Sequence, residues 1–349
     1  MSREVIIDGR RIGPDHSPYV ICEISGNHNG SLDRALALVD AAADTGCDAI
    51  KLQTYTPDTL TLDCDGPGFR IEGGPWDGRT LHDLYAEAHT PYAWHAALFD
   101  RARARGVTVF STPFDETAID LLEGLGAPAY KIASFEATDH GLIAAAARTG
   151  KPLIISTGLA SFEEIGEAAE TARANGCGQL VLLHCISAYP APVDQANVRT
   201  VPHLAEAFGC VSGLSDHTLG SAASVASIAL GGAVIEKHFT LARADGGPDA
   251  GFSLEPAEFA ALVRDCKDAW AALGRASYER KPAEAANAQF RRSLYVANDV
   301  PQGAALTPGN VRSIRPGFGL APVHLPAVLG RAAARPLSKG EPLSWDMIA

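Results

Sequence analysis

The stretch AVIEKHFTL, residues 233–241, ends an apolar run in three ionisable residues, Glu236, Lys237 and His238. A second run, CVSGLSDH (210–217), ends in Asp216 and His217. Alternate residues of a strand share a face, so Ser215 pairs with His217 and Glu236 with His238. Neighbouring strands would then set two imidazoles side by side at one height. Two imidazoles can bind a divalent metal, with carboxylate and water completing the shell. A single histidine would more often be a structural hydrogen-bond donor. The carboxylates Glu23, Glu136, Glu236 and Asp249 are available as ligands or as acid–base groups. Lys237 has the opposite parity and reads as structural, facing the helix layer or the rim.

Two lysines suggest a different chemistry. In KLQTY (51–55), Lys51, Gln53 and Tyr55 share a face, and YKIASFE (130–136) adds Lys131 with Ser134 and Glu136 close behind. An inward lysine is costly unless it meets an anion. Hydroxyls recur at the same kind of position, at Ser111, Thr112, Ser134, Ser156, Ser187 and Ser215. Lysines plus hydroxyls make a cradle for phosphate or carboxylate. Two other readings stay open: a structural Lys–Glu network, and a lysine that forms a Schiff base. Lys131 and Ser134 differ in parity, so one of them belongs to the turn beyond the strand.

These residues need elements to position them. Eight apolar runs recur at 19–27, 49–55, 107–114, 129–136, 152–158, 180–187, 210–217 and 233–239. Between them lie Ala-rich periodic segments such as SLDRALALVDAAADTG and SFEEIGEAAETARANG. Strands alternating with helices eight times indicate a parallel (β/α)8, or TIM, barrel of about 250 residues. Each run is apolar at its start and polar at its end, and in this fold the C-terminal strand ends surround the active site. The opening EVIIDGRRIG (4–13) predicts a hairpin turning at Asp8-Gly9 and covering the barrel floor. A long excursion, CDGPGFRIEGGPWDGRTL (64–81), follows the second strand. It lacks GK[ST], so it is not a phosphate loop, and loops on this face shape substrate specificity.

The barrel pattern stops near Gly274. The expected organisation is a barrel with its hairpin over 1–278, a linker over 279–290 and a small β-rich domain over 291–349. That last part holds a weak repeat in which VPQGAALTPGNV (300–311) aligns with LSKGEPLSWDMI (337–348). About 59 residues is little for an independent core, so this domain is expected to lean on another surface.

The 349 residues are 46% hydrophobic and 20% charged, with a net charge of −12. This balance argues against general affinity for nucleic acid or an anionic membrane, and it leaves room for a locally basic pocket. Seven cysteines without a C-x-x-C pair predict reduced, buried thiols in the cytoplasm. The first residues show no signal-peptide core. The uncharged run between His217 and Glu236 reads as helix, turn and strand, not as a membrane span.

Taken together, EISGNHNG (23–30), KLQTYTPD (51–58), STPFD (111–115), YKIASFE (130–136), STG (156–158), HCISAYPAP (184–192), GLSDHTLG (213–220), EKHF (236–239) and GPDAGFSLEP (247–256) resemble the sialic acid synthase family. RRSLYVANDV and SIRPGFGL (313–320) resemble its antifreeze-like, or SAF, domain. Residues 69–95 are most similar to the pseudaminic acid branch, which joins phosphoenolpyruvate to a 2,4-diacetamido-2,4,6-trideoxyhexose. Ser187 also departs from the neuraminate-type pattern. The resemblance implies a divalent metal on His217 and His238, usually manganese, with magnesium or cobalt as alternatives. It implies that Lys51, Thr112, Lys131, Ser134, Ser156, Ser187 and Ser215 surround phosphoenolpyruvate. Glu23, Glu136 and Asp249 become the carboxylates near the reacting atoms, and Gln53, Phe114 and Tyr189 face an N-acetylated amino sugar. Arg315 would be offered to the other subunit's site in a domain-swapped homodimer. Rival readings are an N-acetylneuraminate or legionaminate synthase, a metal-dependent aldolase or 3-deoxy-octulosonate-type synthase, and a sugar-binding barrel with an inactive site.

Overall fold

A computed structural model describes residues 4–74 and 76–349. The chain begins with an antiparallel hairpin of β1 (Val5–Ile7) and β2 (Arg10–Ile12), in which Val5 pairs with Ile12. Its turn places Asp8 at φ 49° and Gly9 at φ 78°. Two successive left-handed residues suit the tight turns of hairpins, and Asp-Gly tolerates them best.

Eight parallel strands then close a barrel: β3 (Tyr19–Glu23), β4 (Ala49–Thr54), β5 (Thr108–Pro113), β6 (Tyr130–Ile132), β7 (Leu153–Ser156), β8 (Leu180–Cys185), β9 (Val211–Asp216) and β10 (Val234–His238). β10 pairs with β3 to complete the ring, with His238 opposite Glu23. The uncharged run after His217 is the helix Ala222–Ala229, a turn and then β10. Among the described residues, no helix is long and apolar enough to cross a membrane.

Two apolar layers hold the ring. The outer layer joins outward strand residues such as Val20, Ile50, Ile132 and Ile235 to helix residues such as Leu38, Phe99, Ile143 and Phe259. The inner layer joins Ile21, Ala49, Phe110, Ala129, Ile154, Leu183 and Val234 to Val5, Ile7 and Ile12 of the hairpin. The hairpin therefore closes the barrel floor with its own side chains. Alternation carries the same inward faces up to Glu23, Lys51, Thr112, Lys131, Ser156, Cys185 and Glu236. The interior changes from apolar to charged within one step of two residues.

Six cysteines are buried as expected, but Cys64 is exposed in the excursion after β4, where there is no core to receive it.

The contacts divide the chain into two compact units, Met1–Gly274 and Arg275–Ala349. The second contains β11 (Ser293–Val296) and β12 (Val311–Ile314), paired antiparallel. Residues 279–290 fall in this unit and include 3-10 turns over Pro282–Phe290. Its core gathers Leu294, Val296, Leu306, Val311, Val328 and Leu343. The sequence repeat has a structural counterpart. Val300 and Leu337, the first residues of the two halves, exchange both backbone hydrogen bonds at 2.9 Å. Gly303 and Gly340 both have positive φ, at 79° and 90°. Leu306 and Leu343 are both buried.

One glycine of the barrel wall has no freedom to change. A Cβ at Gly213 would lie 2.0 Å from the Val234 carbonyl oxygen on the adjacent strand. Because that neighbour is backbone inside a closed ring, Gly213→Ala should lower stability by about 1–3 kcal/mol or more. Denaturant unfolding checks this, and wild-type stability in the variant would show that the ring can spread.

Candidate active site

The site begins at the end of β3. Glu23 is 0% exposed, and its carboxylate contacts Lys51 Nζ on β4, the residue opposite it in register. Glu23 Oε1 also accepts hydrogen bonds from Ser25 N at 2.9 Å and Gln53 Nε2 at 3.3 Å. Lys51 Nζ donates to Thr112 Oγ1 at 3.0 Å and lies 3.6 Å from Glu236 Oε1. The same Glu236 oxygen is 4.0 Å from Lys131 Nζ, which donates to Ser156 Oγ at 2.7 Å and to the Ile132 carbonyl at 2.8 Å. Two carboxylates and two ammonium groups from four strands thus meet inside the barrel.

Burial acts on each of them. It pushes the Glu23 carboxyl above the usual range, and the Lys51 charge pulls it only part of the way back. Burial also opposes the charge on Lys51, but Glu23 and Glu236 outweigh it and raise that pKa. At Lys131 burial wins over Glu236, and the pKa falls. Each lysine is therefore tied to how many carboxylates it touches.

Beyond this level stand the imidazoles. His217 and His238 have ring centroids 5.4 Å apart. His217 Nδ1 lies 2.9 Å from the Ile186 carbonyl, which assigns its proton to Nδ1 and leaves the Nε2 lone pair available. His238 Nδ1 lies 3.3 Å from Ser25 Oγ. Burial above all, with the charges of Lys51, Lys237 and Lys131, holds His238 well below its ordinary pKa. It is a neutral imidazole, the form that ligates metals. Among the described residues, no three His, Cys, Asp or Glu side chains gather closely enough to hold a metal ion unaided. The donor set fits two positions of an open shell, with the others left to substrate and water.

Lys237 explains why the two histidines sit level. It points out of the barrel and is 1% exposed. Its Nζ lies 2.9 Å from Asp216 Oδ2 and donates to the Thr218 carbonyl at 2.5 Å. Asp216 also accepts from Thr218 N at 2.9 Å and Ser224 Oγ at 2.6 Å. This outward pair locks the ends of β9 and β10, each next to its histidine.

The other candidate residues fall into place around these groups. Ser134 occupies the 3-10 turn after β6, and its Oγ is 2.8 Å from Ser187 Oγ. Gly158 lets that pair close in, since a Cβ there would lie 2.2 Å from Ser187 Oγ. Ser215 is buried opposite Glu236. Tyr189 stacks 4.3 Å from His217. Asp249 accepts hydrogen bonds from Ser25 and Gly26, yet burial, the largest influence, raises its pKa. Phe114 packs at 5.1 Å on Tyr55 and stands further out. Glu136 is half-buried, and burial pushes its carboxyl up to about 7. Arg315 belongs to the second unit, where it is exposed just after β12.

Sequence reasoning missed several partners. Ser25, with φ 39°, bridges Glu23, His238 and Asp249. Asn27 Nδ2 donates to the Phe239 carbonyl at 2.8 Å and to Ser253 Oγ at 2.9 Å. Both lie in the polar run EISGNHNG, which was the available signal. Phe252, 5.0 Å from His238, gave none, being one aromatic in a loop.

Comparisons with known proteins cover almost the whole chain. A sequence profile described as NeuB family matches residues 38–278, and one described as SAF domain matches 291–349. The pseudaminic acid synthase of Campylobacter jejuni serotype O:23/36 is 42% identical over 329 residues, covering 94% of this chain and 96% of that one. The pseudaminic acid synthase of Helicobacter pylori is 41% identical over 332 residues, covering 95% and 98%. The crystal structure of the N-acetylneuraminic acid synthetase of Leptospira borgpetersenii superposes with a TM-score of 0.73 at 30% identity, covering 82% and 95%.

The Glu136 carboxyl yields a pH test. Its folded pKa of about 7 exceeds the ordinary 4.5. The folded state therefore binds more protons than the unfolded state between those values, and this group makes stability fall as pH rises through that window. Glu136→Gln should remove that part of the decline in denaturant titrations from pH 4.5 to 7. An unchanged slope would mean that Glu136 ionises like a surface carboxylate.

Proposed function

The chain belongs to the NeuB family, and we propose that it condenses phosphoenolpyruvate with 2,4-diacetamido-2,4,6-trideoxy-L-altrose to give pseudaminic acid and phosphate. The observation that carries the reading is the buried Glu23–Lys51–Glu236–Lys131 row set directly beside two imidazoles. Buried lysines of this kind are a ready site for a substrate with a phosphate and a carboxylate. Identity to pseudaminic acid synthases along almost the whole chain supports the choice of sugar.

Lys51 and Lys131 receive the anionic groups of phosphoenolpyruvate, and Thr112, Ser134, Ser156, Ser187 and Ser215 donate hydrogen bonds around them. Gln53, Phe114 and Tyr189 line the way for the open-chain sugar. This holds the methylene carbon of phosphoenolpyruvate against the aldehyde carbon, which converts much of the entropic barrier into binding. A divalent ion on His217 and His238, manganese in our reading with magnesium or cobalt as alternatives, would supply Lewis-acid polarisation of the aldehyde. As the carbon–carbon bond forms, positive charge develops at C2 of the phosphoenolpyruvate unit. The nearby carboxylates stabilise it. Water adds at C2, and phosphate departs with cleavage of its bond to that carbon. Glu23 is assigned the transfer of the water or sugar-hydroxyl proton, since burial already holds its carboxyl ready to accept one. Glu136 and Asp249 are the alternatives for that step. We further assign a domain-swapped homodimer in which Arg315 of one subunit completes the other's sugar site, and a cytoplasmic location.

The sugar assignment is tested by phosphate release from phosphoenolpyruvate with three acceptors. Expected kcat/KM favours the L-altrose sugar over the legionaminate precursor and N-acetylmannosamine by about 100-fold or more. A preference for either competitor replaces the assigned sugar, and silence with all three removes the enzymatic reading. The metal assignment has a readout besides activity. His217→Ala and His238→Ala should each weaken Mn2+ binding by at least about 10-fold in the folded protein. Wild-type affinity in both variants would place the metal elsewhere.

A further inference from the structure

The excursion after β4 builds a second wall beside the site. A short antiparallel arm forms there, with Ile71 N donating to the Arg79 carbonyl at 2.8 Å and Gly78 N to the Ile71 carbonyl at 2.9 Å. The indole Nε1 of Trp76 donates to the Pro248 carbonyl at 2.9 Å, clipping the arm to the loop after β10. Between arm and loop lies a cavity of about 460 Å³ whose lining includes Trp76, Arg79, Glu87, Tyr189, Pro248 and Phe252. One end is aromatic and continuous with the imidazoles: Tyr189 lies 4.3 Å from His217, and Phe252 lies 5.0 Å from His238. Trp76 adds to it, 6.0 Å from Tyr189. The other end is polar. Arg79 Nη1 lies 2.8 Å from Glu87 Oε2, and Arg79 Nη2 donates to the Asp83 carbonyl at 3.0 Å.

We propose that this cavity recognises the acetamido group at C4 of the sugar, with Arg79 and Glu87 as its specificity-determining residues. The inference rests on the function proposed above and identifies which part of the substrate is read. An acetamido group presents a carbonyl acceptor, an N–H donor and a methyl group. Arg79 offers donors and Glu87 an acceptor side by side, and the Trp76 ring, on the same arm as Arg79, offers an apolar surface for the methyl. A bare anion fits less well, because Glu87 would repel it. The sugar's aldehyde belongs at the imidazole end, so the substituent that reaches the far end is the one further along the chain, at C4 and not C2. The arginine and glutamate are only partly covered, at 32% and 50% side-chain exposure. Such a pair contributes little to folding, so a functional use accounts for its placement better than a structural one.

The test compares Arg79→Met and Glu87→Gln with wild type on the diacetamido L-altrose sugar and on N-acetylmannosamine, which lacks the second acetamido group. A site that loses its hydrogen-bonding partner for a substrate group loses about 10- to 100-fold in kcat/KM for that substrate. Both variants should show this loss with the diacetamido sugar, mainly through KM, while the KM for phosphoenolpyruvate and the rate with N-acetylmannosamine change by less than about 3-fold. Equal losses with both sugars, or none with either, overturn the cavity assignment while leaving the proposed function intact. Wild-type enzyme that uses no diacetamido sugar overturns the function and this assignment together. Melting temperatures within the wild-type range show that either loss is one of recognition.

Discussion

Burying Lys51, Lys131, Glu23 and Glu236 at one level of a barrel is tolerable only because each charge has an opposite neighbour. A lone ammonium or carboxylate there would cost several kcal/mol and would neutralise instead. The pairing is uneven. Lys51 touches both carboxylates, whereas Lys131 reaches only Glu236, at 4.0 Å, and makes up the difference with Ser156 and a backbone carbonyl. The unevenness appears in their opposite pKa shifts. A row of alternating charges is also a store of binding capacity, because an arriving anion can take a carboxylate's place beside a lysine.

Everything below this level protects it. The inward residues beneath are apolar, and the amino-terminal hairpin supplies Val5, Ile7 and Ile12 to close the floor. This apolar floor keeps the surroundings of the charges of low dielectric, so the electrostatics stay strong. Gly213 lets β9 and β10 approach within this wall, and those strands carry the two histidines. A second ion pair, Lys237 with Asp216, faces the other way and ties the end of β10 to that of β9 from outside the barrel. Glu236, Lys237 and His238 are consecutive and face in, out and in. The three side chains belong to the buried charged row, the scaffold and the mouth respectively.

The mouth is shaped by loops, each held by a few specific contacts. Ser25, in an unfavourable backbone conformation, ties Glu23 through its backbone N–H and His238 and Asp249 through its hydroxyl. Trp76 ties the excursion after β4 to the loop after β10 through one indole hydrogen bond. The first arrangement lies against the buried Glu23–Lys51 pair. The second lies farther out, on the excursion and the loop after β10. The smaller unit follows another logic, in which two halves with the same glycine and leucine positions pair around Val300 and Leu337.

The sequence alone determined the barrel, because eight apolar runs alternating with helical segments have few other ways to be buried. Strand parity also determined which residues face inward, including the separation of Lys237 from His238, and that one of Lys131 and Ser134 lies on a turn. These are local properties, set by a period of two and by burial. Parity could not say which charges touch, because contact across a tilted ring depends on register and side-chain reach. That Glu236 stands between the two lysines, that Asp216 is the partner of Lys237, and that Ser25 connects two strand ends to the loop after β10 were decided only when the ring closed. Cys64, an apolar type left exposed in the excursion, and Phe252, an unremarked aromatic placed against His238, mark the same boundary. Their surroundings come from residues far away in the chain, and only the folded structure brings those residues near.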